Sequence, residues 1–182
     1  MLAMTLAWPA AAEKLNGIRF PSQETAGHTE LLLNGAGLRT YSIFHVHIYV
    51  AGLYLQTPSH SAKDILASSG KKMLVLHFVR NVPAAKVRKA WRTGLLNNCV
   101  APCTLSPEHV VQFLASLHAV RAGDTAAFVF TKNGLHVYYD GKLAGVINDP
   151  HFATQMLAVF IGPHPGAPGL KAALLGVGGN AG

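Results

Sequence analysis

The chain has 182 residues, half of them hydrophobic and only 13% charged, with 18 glycines and 10 prolines. That length supports one domain with a real hydrophobic core, and the composition excludes intrinsic disorder, collagen-like repetition and coiled coil. The formal charge of +7 brings nucleic acid or an acidic surface forward as a partner. The excess is local, however. No acidic residue lies between Asp64 and Glu108, a stretch that holds Lys71, Lys72, Arg80, Lys86, Arg88, Lys89 and Arg92, and the other eight basic residues balance the eight acids.

In chain order, residues 2–12 are apolar and end in Ala10-Ala11-Ala12 before Glu13 and Lys14. A short apolar stretch closing on small residues is the pattern of an export signal, here without the positive residue expected ahead of it. Residues 1–12 therefore read as a signal peptide truncated at its start, with a single domain at 13–182 placed in the periplasm. The alternative is an N-terminal strand or helix packed on the core, since the run is too short to span a membrane. Residues 30–34 and 41–55 read as strands, rich in β-branched, aromatic and leucine side chains. Ser61-Ala62-Lys63-Asp64 has capping-box spacing and opens a short helix closing at Gly70. Residues 72–80 form an apolar strand. Pro83 then suits a first helical position, and Val87, Trp91 and Leu95 form one apolar stripe.

Cys99 and Cys103 are the only cysteines. Four residues apart and flanking Pro102, they are a candidate disulfide in an exported protein, closing a loop too small to stabilise strongly. A zinc site from this pair alone is the weaker reading. Ser106-Pro107-Glu108 starts another helix, with Val110, Phe113, Leu114 and Leu117 on one face. After Gly123-Asp124 the period changes to two. Residues 126–131, 135–139 and 143–147, joined by Asn133-Gly134 and Asp140-Gly141, form a three-stranded antiparallel meander, because both dipeptides supply the positive φ of tight hairpins. Asp149-Pro150 caps a helix carrying Phe152, Met156, Val159 and Phe160, and a last helix near residues 170–175 stops at Gly176. The class is α+β, with a mainly antiparallel sheet covered by helices on one face.

Lys86, Arg88, Lys89 and Arg92 lie off the apolar stripe of their helix, the distribution of a solvated face. No helix-turn-helix, zinc finger or aromatic platform accompanies them, so nucleic acid is set aside. Peripheral contact with an anionic membrane through Lys86, Lys89 and Arg92 is the better use of the patch.

Several motifs together resemble the chalcone isomerase fold in its bacterial chalcone isomerase-like branch. They are LNGAGLR (residues 33–39) with the strand FHVHIYVAGLYL (44–55), the strand and helix LHFVRNVPAAKVRKAW (76–91), the meander followed by GVINDPHFATQMLAVFIG (145–162), and LKAALLG (170–176). The resemblance implies an open-faced β-sandwich, a large antiparallel sheet with a helical layer and a ligand cleft between them. In the plant enzyme the arginine of the Gly-Ala-Gly-x-Arg turn is catalytic, and Arg39 matches it. The enzyme's strand threonine corresponds here to Tyr49, and its catalytic tyrosine to Pro83, so two of three catalytic positions depart. Relatives that bind fatty acids hold the carboxylate with the same arginine and a strand tyrosine, which Arg39 and Tyr49 fit.

The chemistry supports that assignment: a guanidinium fork matches a carboxylate, a phenol adds a donor, and apolar walls bury a tail. The leading expectation is thus a non-catalytic binder of a small amphipathic carboxylate such as a fatty acid, needing no cofactor. His45 and His47 flank Val46, so a strand points both to the face of Tyr49. There they either line a cleft, hydrogen-bonded and able to titrate near neutral pH, or supply two metal ligands, with His77 on the next strand as a neighbour. Two alternatives follow: an intramolecular lyase or isomerase with Arg39 as electrophile and His45 or His47 as proton carrier, and a metal or haem carrier using His45 and His47.

Overall fold

The computed structural model describes residues 12–41, 46–99 and 104–178. In chain order they form β1 (Glu13–Leu15), β2 (Ile18–Phe20), β3 (Gln23–Ala26), β4 (Thr29–Tyr41), β5 (Val46–Leu55), α1 (Ala62–Ala67), β6 (Lys72–Phe78), α2 (Ala84–Asn98), α3 (Pro107–Ser116), β7 (Thr125–Thr131), β8 (Gly134–Tyr139), β9 (Lys142–Ile147), α4 (Pro150–Ile161) and α5 (Pro168–Leu174). The segment expected to be a signal lies, except for Ala12, outside the described residues.

Seven strands build one antiparallel sheet in the order β3-β4-β5-β6-β7-β8-β9, and β1 and β2 form a separate hairpin. Every strand of the sheet pairs with its neighbour in sequence, although α1 lies between β5 and β6, and α2 and α3 between β6 and β7. Alternation along the strands divides the side chains into two cores. Leu53, Leu74, Leu76, Phe128 and Val137 pack under the helices with Trp91, Phe113, Phe152, Met156 and Phe160. Val50, Tyr54 and Met73 face the other way and pack with Phe20 of the β1–β2 hairpin, Leu31 and Ala36. Trp91 ties the helical layer to the sheet, its ring centroid 5.1 Å from Phe128, 5.4 Å from Phe113 and 5.4 Å from Phe160.

The meander follows its turn residues: Asp140 and Gly141 both have positive φ, 47° and 75°, as a tight hairpin requires. The helix starts follow theirs in part. The Ser61 side chain accepts from the Asp64 amide, and Asp149 accepts from the amides of His151 and Phe152, whereas Ser106 makes no side-chain cap.

One expectation fails at Gly35-Ala36-Gly37. Read as a turn between two strands, the run lies inside the single thirteen-residue β4. Its glycines serve a close approach. A Cβ on Gly35 would stand 2.2 Å from the Ala173 carbonyl oxygen and one on Gly37 2.6 Å from the Ala173 Cβ, so both admit α5 onto the sheet. Arg88 is exposed on α2, as expected of that face, and also reaches a neighbouring helix. Its Nε and Nη2 donate to the carbonyls of Leu114 (3.2 Å) and Leu117 (2.9 Å), closing the C-terminal end of α3.

Candidate functional site

The placement of α5 determines what stands beside it. Gly35, Gly37 and Arg39 share the helix-covered face of β4, and in the register of β4 with β5 Arg39 lies directly opposite Tyr49. Opposed residues of an antiparallel pair project side by side from one face. Tyr49 in turn pairs with Phe78 of β6, their rings meeting edge to face at 5.7 Å. A register shift follows Arg39, so that Thr40 pairs with His47. A cation, a phenol and an aromatic wall therefore line up across three adjacent strands at one end of the sheet.

The Arg39 guanidinium donates from Nη1 to the carbonyl of Gly166, 2.5 Å away in the α4–α5 connection. A guanidinium has five N–H donors, so this bond leaves the Nε and Nη2 edge to serve a planar acceptor. Burial pushes the Tyr49 phenol up to about 12, against the opposing pull of the neighbouring Arg39 charge. At neutral pH Tyr49 is thus an uncharged O–H donor beside a permanent cation. The arrangement can orient an anionic oxygen against an aromatic wall. It presents no general base among these three side chains.

The other expected residues are dispersed. The expectation that His47 shares the face of Tyr49 fails, because the shift after Arg39 pairs His47 with Thr40 and breaks the alternation, and His47 is exposed at the strand end. His45 lies outside the described residues, as do residues 42–44 beside it. His77 pairs with Val50 and therefore points to the opposite face, where it meets the Phe20 ring at 5.3 Å. Among the described residues no group of three or more His, Cys, Asp or Glu side chains is placed to hold a metal ion. Cys99 is disulfide-bonded, and Cys103 lies outside the described residues. Lys86, Lys89 and Arg92 are exposed along α2.

Two clefts open elsewhere, neither lined by Arg39 or Tyr49. One of about 210 Å³ separates α1 from the end of β7 and α4, with Leu66, Lys72, Phe130 and Leu157 among its walls. The other lies between α1 and the α4–α5 connection. Lys72 is 8% exposed. It donates to the carbonyls of Ser68 (2.5 Å) and Gly70 (3.0 Å), and burial lowers the pKa of its ammonium. The sequence did not reveal Phe78 as a neighbour of Tyr49 or the Gly166 carbonyl as a partner of Arg39. Phe78 enters through strand register, and Gly166 is 127 positions away.

A meander of seven strands with a helical layer on one face is an α+β open-faced sandwich, here with a cation–phenol pair at one end of the sheet. The family model described as chalcone isomerase-like matches residues 12–176, and the chain belongs to that family. Among solved structures, a fatty-acid binding protein of Arabidopsis thaliana superposes with a TM-score of 0.75 over 91% of this chain and 96% of that one. Their identity is 17%, so the likeness is one of fold. No curated protein matches the chain in sequence.

Proposed function

We propose that this protein binds, without turning it over, a small amphipathic carboxylate of the fatty-acid class, with Arg39 and Tyr49 holding the headgroup. The observation that carries the reading is the direct cross-strand pairing of Arg39 with Tyr49 on the helix-covered face. A carboxylate on the free guanidinium edge gains charge-assisted hydrogen bonds, and the phenol, held neutral, adds a third. The fold shared with a fatty-acid binding protein supports the ligand class. Against an isomerase, Tyr49 and Pro83 stand where the resemblance expects threonine and tyrosine. Exposed Lys86, Lys89 and Arg92 extend the reading: they serve as a contact with anionic membrane, from which an acyl ligand is drawn.

Native mass spectrometry of gently purified protein tests the central part. An acyl mass is expected on the wild type and is lost in Arg39→Met. Charge-assisted hydrogen bonds are worth about 1.5–3 kcal/mol, so that substitution should weaken a fatty acid by roughly 10- to 100-fold. Neither co-purified nor added fatty acid on the wild-type protein refutes the reading.

A further inference from the structure

We infer that Asn98, at the end of α2, is a positioning residue for Arg39, acting through the connection between α4 and α5. The inference rests on the carboxylate reading above. Asn98 continues the buried face of α2 after Val87, Trp91 and Leu95, a place where an apolar side chain is the default. Its side chain is 4% exposed, and a buried amide destabilises the fold unless its donors and acceptor are paired. They are paired, and mostly to the backbone of one residue. Nδ2 donates to the carbonyl of His164 at 2.9 Å, Oδ1 accepts from the amide of His164 at 3.2 Å, and Nδ2 also reaches the Gly94 carbonyl at 3.0 Å. The amide thus clasps the backbone of His164 on both its donor and its acceptor.

Two residues further on, the Gly166 carbonyl receives Arg39. The connection between the clasp and that carbonyl is Pro163-His164-Pro165-Gly166, in which two prolines fix φ on either side of the clasped residue. A second tether holds the start of the same connection, where Lys171 Nζ donates to the Gly162 carbonyl at 2.8 Å. Placing His164 therefore places Gly166, and the Gly166 carbonyl selects one rotamer of a long side chain that would otherwise sample many. Shape agrees with hydrogen bonding here: a Cβ on Gly162 would come within 2.7 Å of Asn98 Oδ1, so the connection sits directly against the amide. In this arrangement α2 aims the guanidinium edge that a carboxylate would use, without touching the ligand.

The test compares dodecanoate with dodecanol, which share a tail and differ in headgroup. Titration of delipidated wild-type protein is expected to favour the acid by about tenfold or more, the share assigned to charge-assisted bonds. Arg39→Met removes that preference. Asn98→Leu is expected to cut it by at least about fivefold while dodecanol affinity changes less than about twofold, since the tail contacts stay and only the aim is lost. Lys171→Met, on a half-buried side chain, should act in the same direction more weakly, and it decides the matter if Asn98→Leu does not fold. A wild-type preference that Arg39→Met abolishes and both other substitutions leave intact overturns the positioning role alone. So does equal loss of both ligands in folded Asn98→Leu, which marks a structural role. A wild type with no preference for the acid overturns the carboxylate reading and this role with it.

Discussion

Arg39 and Tyr49 owe their combination to strand register and to difference in charge. Arginine stays protonated throughout the accessible pH range, while burial holds the Tyr49 phenol neutral up to about 12. Fatty-acid affinity is therefore expected to be flat from about pH 7 to 10, because neither anchor changes charge there and the acid is already ionised. An affinity that falls through neutral pH would assign the headgroup to a histidine instead. Stability behaves differently. Tyr49, and Tyr139, whose phenol burial also pushes up to about 12, keep their protons in the fold while the unfolded chain loses them from about pH 10. The native state then binds more protons than the unfolded one, so stability should decline as pH rises between about 10 and 12. Urea midpoints across that range read the decline, and Tyr49→Phe should reduce it. Of this site, Arg39 and Tyr49 were legible in the sequence because a motif and a strand pattern carry them. Phe78 and Gly166 were not, since only the register of β5 with β6 and the path of a distant connection bring them in.

At the level of elements, the hairpins and helix starts with their own chemistry in the sequence formed where that chemistry put them. Asp140-Gly141 turns the meander and Asp149 caps α4. Elements β1, β2 and β3 escaped because strands of three or four residues show no period long enough to recognise. The misreading of Gly35-Ala36-Gly37 has a different cause: local sequence cannot tell a glycine needed for a turn from one needed to admit another element. Gly37→Val tests the second meaning. The added side chain meets Ala173 and Leu170 in α5, and overpacking of this kind costs about 1–3 kcal/mol in a urea melt. A turn glycine on a solvated bend would respond through backbone strain alone and leave α5 protected from proteolysis.

The α3–α4 junction offers a second test. Burial opposes ionisation of Asp149, but the amides of Phe152 and His151 and the His109 imidazole, 2.7 Å from its carboxylate, outweigh it and hold its pKa below the usual range. A carboxyl with a depressed folded pKa stabilises above its unfolded value, near 4, and loses that contribution as pH falls toward its lower folded value. Asp149→Ala should therefore cost about 1 kcal/mol at neutral pH, as expected for a lost helix cap. Its deficit should shrink in acid. A deficit independent of pH down to about 2 would mean the carboxylate charge plays no part.

For the molecule as a whole, the net charge of +7 resolves into separate uses. Lys71 and Lys72 donate to backbone carbonyls of Ala26, Ser68 and Gly70, and Arg88 closes α3. Arg80, Lys86, Arg88, Lys89 and Arg92 are exposed. Each cation near an anionic leaflet contributes about 1 kcal/mol. Replacing Lys86, Lys89 and Arg92 by glutamine should thus reduce sedimentation with phosphatidylglycerol vesicles by roughly two orders of magnitude in affinity. Raised salt should do the same to the wild type. Binding that persists in neutral phosphatidylcholine, or survives the triple substitution, would remove the membrane from the account. None of these exposed cations lies at the proposed anchor.

The most direct measurement of the central claim is calorimetric titration of dodecanoate into delipidated wild-type and Arg39→Met protein. Saturable binding at one site is predicted for the wild type, weakened roughly 10- to 100-fold by the substitution with the melting temperature of the free protein retained. No binding to the wild type, or equal binding to both proteins, would contradict it.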